Sequence, residues 1–163
     1  MNTVCFTGHR PQNLPYKFNE NDWECIKIKS SLKDCIEKAI NGGYTRFISG
    51  MAMGVDTWAA ETVLELKKAH PHIKLEALIP CLDQCRYWSD CDKRRYYSIL
   101  KQCDRKILLQ KSYTPGCMQN RNRQMVERSD YVIAVWNGHS GGTAQTINYA
   151  RRHEKKLAVI SVK

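Results

Sequence analysis

Ser49-Gly50-Met51-Ala52-Met53-Gly54-Val55-Asp56 decides how the rest of this chain is read. Thr45 to Ser49, just before the turn, favours β structure through its β-branched and aromatic residues. Val55 to Lys68, after it, returns apolar side chains at helical spacing. A glycine-bearing turn from a strand into a helix presents unpaired backbone N–H groups and the positive end of a helix dipole, both suited to an anion. The stretch therefore predicts an α/β protein that handles a nucleotide.

The same alternation runs outward in both directions. Strands are expected near Thr3–Thr7, Thr45–Ser49, Lys74–Ile79, Arg105–Leu109, Tyr131–Trp136 and Leu157–Val162. Helices fill the gaps at Asn21–Ile40, Val55–Ala69, Asp92–Gln102, Cys117–Glu127 and Thr143–His153. In the first helix Ile28, Leu32, Cys35, Ile36 and Ala39 share one face. Asn41-Gly42-Gly43 stops that helix and Pro71 ends the next. Such alternation predicts an α/β three-layer sandwich, with a mainly parallel sheet of about six strands and helices on both faces.

At 163 residues the chain suits one domain, 1–163. The longest apolar runs, Tyr131 to Trp136 and Leu157 to Val162, are strand-length and too short to span a bilayer, so no membrane partner is expected. The first residues lack the basic and long apolar regions of a signal peptide, and the reading is a cytoplasmic protein. Eight cysteines contain no Cys-x-x-Cys pair. Cys81, Cys85 and Cys91, with His70 and His72 upstream, fit no common zinc spacing, so reduced thiols and no metal or other cofactor are expected. The net charge of +10 points to an anionic partner, and on charge alone small phosphates and nucleic acid fit equally. Exposed apolar faces are compatible with a homo-oligomer.

Ligands of such sheets bind beyond the carboxyl ends of the strands, and the unusual residues gather at that edge. Gly8 is expected to turn the chain tightly after the first strand, leaving His9 and Arg10 over the crevice. Arg10 can fork onto a phosphate or carboxylate. Ser49, Gly50 and Gly54 would let backbone approach a ligand; Asp56 either accepts from a ribose or caps its helix. Glu61, further along, is expected on the outside. Gln84 and Trp88 follow the third strand and could meet a base. Arg121 and Arg123 cannot both face one pocket from a regular helix, and Arg121 is expected to point in. Gly141, Gly142 and Thr143 present successive N–H groups and a hydroxyl at a helix start, a second phosphate cradle.

Together, Thr7-Gly8-His9-Arg10-Pro11, Ser49 to Asp56, Pro80 with Gln84 and Trp88, Tyr113-Thr114, Arg121-Asn122 and Gly141-Gly142-Thr143-Ala144 resemble the YpsA-like family of the SLOG superfamily. That superfamily also holds DprA and the Lonely Guy enzymes. The resemblance implies a Rossmann-like fold and a nucleotide or nucleotide-derived ligand.

Lonely Guy enzymes cleave the N-glycosidic bond of a nucleoside monophosphate, with an arginine in Met-x-x-Arg-Lys and a glutamate three residues after Gly-Thr. Here Met118-Gln119-Asn120-Arg121-Asn122 keeps the arginine without the lysine. Gly142-Thr143-Ala144-Gln145-Thr146 keeps the phosphate loop but places Thr146 at the glutamate position. A hydroxyl does not replace a carboxylate at an oxocarbenium-like centre; Asp56 or Glu61 could supply one from the other side. The Ser49–Asp56 stretch resembles one in the DprA family, which binds single-stranded DNA, so the resemblance implies such a partner as an alternative.

The leading expectation is binding or sensing of an ADP-ribose or NAD type ligand. The alternatives are a nucleotide N-glycosidic hydrolase, with Arg121 catalytic, and single-stranded nucleic-acid binding. The sequence leaves open whether the protein is an enzyme.

Overall fold

A computed structural model describes residues 2–162; Met1 and Lys163, the two ends of the expected domain, lie outside them. Six strands form one sheet: β1 (Thr3–Gly8), β2 (Arg46–Ser49), β3 (Lys74–Ile79), β4 (Arg105–Leu108), β5 (Tyr131–Trp136) and β6 (Lys156–Ser161). The helices between them are α1 (Trp23–Asn41), α2 (Val55–Lys67), α3 (Asp90–Gln102), α4 (Cys117–Glu127) and α5 (Gly142–Arg152). The strand order is β4-β3-β2-β1-β5-β6, and every pairing is parallel. The expected α/β architecture is therefore present.

The chain builds outward from β1 to β4, then returns to place β5 on the other side of β1. Right-handed crossovers running in opposite directions put their helices on opposite faces. Accordingly α1 packs on α2 and α2 on α3, while α4 packs on α5. The larger core includes Phe6, Phe47, Leu75 and Ile133 beneath α1 to α3. The smaller one joins Cys5, Ile48, Leu78 and Val132 to Met125, Val126 and Ala150 beneath α4 and α5. Covered on both faces, β1 is buried at five successive residues, as parallel strands require. All eight cysteines are free thiols, five of them buried.

Local chemistry sets the element ends. The Asp22 carboxylate accepts from Glu24 N at 2.9 Å and caps α1, so that helix begins at Trp23 rather than Asn21. Ser89 Oγ accepts from Asp92 N at 3.1 Å, which starts α3 two residues earlier than its apolar pattern suggests. The chain reverses direction across the sheet between β1 and β5. Loops leaving that pair of carboxyl ends diverge onto opposite faces and open a crevice.

Candidate functional site

Two loops bound the crevice, and a histidine ties them together. His9 Nε2, after β1, accepts from Asn137 N, after β5, at 2.9 Å. Burial, then the neighbouring His139, pushes His9 below the ordinary histidine value, which keeps the ring a neutral acceptor. Asn137 Oδ1 accepts from His139 N at 3.0 Å, and Trp136 Nε1 donates to His139 O at 2.8 Å, fixing the second loop from within. Thereafter α5 begins at Gly142 with Gly141 as its N-cap, and no side chain caps it. Its first N–H groups therefore face an open space. That space is a polar cavity of about 450 Å³ whose lining includes His9, Arg10, Asp56, Arg121, Gly142 and Thr143.

The loop after β2 is built differently. Ser49 Oγ donates to Asp56 O at 2.9 Å and accepts from Met51 N at 3.1 Å. Asp56 Oδ2 accepts from Ala52 N at 3.3 Å. The carbonyl of His9 takes the N–H of Val55 at 3.4 Å, at the very start of α2. These donors, expected to face a phosphate, are held inside the protein. Ser49, Gly50 and Gly54 line neither cavity described here, which corrects their expected place in a cradle. Their small size serves packing instead. A Cβ on Gly50 would lie 2.7 Å from Arg121 Cζ, and one on Gly8 would lie 2.5 Å from Val55 Cβ. Gly8 is thus not a turn residue: it pairs with Val135 at the end of β1 and admits the first turn of α2.

Arg121 does point inward from α4, while Arg123 is exposed. The guanidinium is 2% exposed and is held on several sides. Its Nη1 donates to Gly50 O and, at 3.3 Å, to Gln84 Oε1; Nε donates to Asn122 Oδ1 at 3.0 Å. Gln84 Nε2 donates to the same Gly50 carbonyl at 3.3 Å. Arg121 and Gln84 therefore join the loops after β2 and β3 to α4, and both amide ends of Gln84 are engaged by protein. Burial raises the Asp56 carboxyl; Arg121, the Ala52 N–H and Arg10 pull it back down. Burial likewise lowers Arg121, opposed by Asp56. The two charges offset one another in the cavity floor, and Arg10 is an exposed cation in the cavity lining. Glu61 sits elsewhere, gripping Arg95 Nη2 at 2.6 Å beside Glu20, so it supplies no carboxylate to the crevice.

A second cavity of about 500 Å³ adjoins the first, sharing Arg10, Ala52 and Met118 with it. Its walls are aromatic and soft: Tyr87, Trp88, Tyr113, Met53 and Met118, with Asp83 and Gln84 among them. Trp88 stands edge-on to buried Tyr96, ring centroids 5.3 Å apart. Tyr87 is 87% exposed and carries the Arg86 guanidinium over its ring. Tyr113 N donates to Asp83 Oδ1 at 3.1 Å, joining the loops after β3 and β4.

Sequence reasoning singled out His9, Arg10, Asp56, Trp88, Gly142 and Thr143 in these walls. It passed over Asp83, Met118, Gln119 and Asn122. Met118 and Asn122 lie four apart on α4, the spacing that brings two side chains to one face, and that face is the signal that could have found them.

Fold and crevice define the class: a Rossmann-like α/β protein with its cavity at the topological switch point. The chain belongs to the YspA SLOG family (YpsA), whose profile matches residues 4–163. It is 34% identical over 140 residues to the prophage-derived protein YoqJ of Bacillus subtilis, covering 78% of this chain and 82% of that protein. It is 30% identical over 161 residues to a UPF0398 protein of Bacillus anthracis, covering 96% of this chain and 86% of the relative.

Among solved structures, DNA processing protein A of Helicobacter pylori superposes with a TM-score of 0.66 at 21% identity, over 99% of this chain and 66% of that one. The Streptococcus pneumoniae protein gives 0.68 at 18%, over 100% and 51%. This chain thus spans about two thirds and half of those proteins, and the likeness is one of fold. Among the described residues no helix is long and apolar enough to cross a membrane.

Proposed function

We propose that this protein binds a nucleotide-derived small ligand of the ADP-ribose or NAD type at the switch-point crevice. The carrying observation is that a polar cavity and an aromatic one meet at Arg10. Phosphates sit against the uncapped α5 N-terminus at Gly141, Gly142 and Thr143, with Arg10 closing over them. A ribose hydroxyl reaches Asp56, whose charge the nearby Arg121 offsets. A base enters the aromatic cavity against Trp88. The glycines of the Ser49–Gly54 loop hold this surface in shape from behind, and Gln84 stands in the aromatic wall, braced by Gly50 and Arg121.

Binding is favoured over N-glycosidic cleavage because Arg121 is committed to Gly50, Gln84 and Asn122. Single-stranded nucleic acid is a second reading, favoured by the exposed Tyr87 and Tyr113 beside Arg86. The Helicobacter pylori neighbour is described as binding single-stranded DNA.

The test is thermal stability against ADP-ribose, NAD, nucleoside monophosphates and an oligonucleotide. A ligand at 100 times its Kd adds about 2.7 kcal/mol, a shift of several degrees at this size. The proposal expects that shift from ADP-ribose or NAD and its loss in Arg10→Ala/Thr143→Ala. No shift from any nucleotide, with salt-sensitive oligonucleotide binding, transfers the site to nucleic acid.

A further inference from the structure

The aromatic cavity contains one acidic side chain, Asp83. Its Oδ1 already accepts from Tyr113 N at 3.1 Å, which sets the plane of the carboxylate beside the tyrosine. Around it stand Tyr87, Trp88, Tyr113, Met53 and Met118, surfaces that take the faces of a flat ring. Flat apolar walls hold any base alike; only a polar group at the ring edge distinguishes one from another. Two amides also line this cavity: both ends of Gln84 are bound to Gly50 and Arg121, and Gln12 is an exposed side chain with no fixed partner among the described residues, whereas Asp83 is held in place. The exposed cations there, Arg10 and Arg86, lie respectively at the junction with the polar cavity and over Tyr87. A carboxylate accepts and never donates when ionised, so it selects for a ring that presents an N–H.

We infer that Asp83 is the specificity-determining residue of the ligand site, its Oδ2 accepting from the amino group of an adenine ring packed against Trp88. The inference rests on the nucleotide reading above and deepens it. A ring whose edge carries a bare carbonyl or hydrogen at that place leaves the carboxylate facing it without a bond, after removing its water. Tyr113, bonded to the other oxygen, keeps the carboxylate in position before the ligand arrives.

The experiment compares two ligands with the same diphosphate chain: ADP, and purine riboside diphosphate, which has hydrogen in place of the 6-amino group. Affinities are read by titration calorimetry on the intact protein. Wild type is expected to favour ADP on the order of 10- to 100-fold, the range for one charge-assisted hydrogen bond. Asp83→Ala is expected to bind the two equally, because only the amino-to-carboxylate coupling is removed. Trp88→Leu is expected to weaken both alike and to preserve their ratio, which separates stacking from edge recognition. Equal binding of both by the wild type, or an unchanged ratio in Asp83→Ala, overturns the role of Asp83 and leaves the nucleotide reading intact. Binding of neither diphosphate overturns both.

Discussion

The loops after β2 and after β5 look alike as sequence, each a glycine-bearing turn into a helix, yet they do opposite things. The Ser49–Asp56 loop turns its donors inward, onto Ser49 Oγ, Asp56 Oδ2 and the His9 carbonyl, and buries Arg121 against Gly50. The Asn137–Thr143 loop leaves α5 uncapped, and a Cβ placed on Gly138, Gly141 or Gly142 meets nothing within 4 Å. Glycine at a helix start therefore has two uses. It admits neighbouring protein in one case and borders open space in the other.

The largest effect that would break this contrast belongs to Arg121. Arg121→Ala is expected to cost about 3–5 kcal/mol, since it strips a buried charge from Asp56, Gly50 and Gln84. Denaturant unfolding measures it; a loss below about 1 kcal/mol would place Arg121 with the ligand-facing groups. Next comes Gly8→Ala, whose methyl collides with Val55 on a neighbouring helix, for a loss of about 1–3 kcal/mol.

The His9 contact sharpens the comparison through pH. Because folding lowers its pKa, the unfolded chain binds more protons below the ordinary histidine value. Stability should then rise with pH across the window between the lowered value and 6.5 and level off above it. Unfolding curves across that window test this, and His9→Gln, which keeps an acceptor without a charge, should flatten them. The smallest stability effect is expected at Gly142→Ala, within about 0.5 kcal/mol. There the loss appears in ADP-ribose affinity instead, read by titration at unchanged Tm.

Much of the fold was legible because its signals are local. The β-branched run Tyr131 to Val135 and the three-and-four spacing of Ile28, Leu32 and Ile36 carry their assignments without help from distant residues. The carboxyl edge was legible for the same reason, its glycines and basic residues following strands. Which glycine loop is open was not legible. That depends on Arg121 reaching Gly50 across 71 residues of chain and on Val55 meeting Gly8. Gln84 does line the aromatic cavity, but its bracing was not legible, because its partners are a carbonyl and a guanidinium from two other elements. Asp83 drew no notice, since its partner Tyr113 lies thirty residues on.

The bond from Asn137 N to His9 Nε2 has a consequence for the energetics of binding. It spans the mouth between β1 and β5 and ties the loops that follow them to each other. Under the proposed function, a ligand entering there would meet an aperture partly set in advance, with less chain entropy to lose on binding. Such preorganisation would favour a small, rigid guest, with association set by diffusion and charge steering from Arg10 rather than by a slow rearrangement of the host.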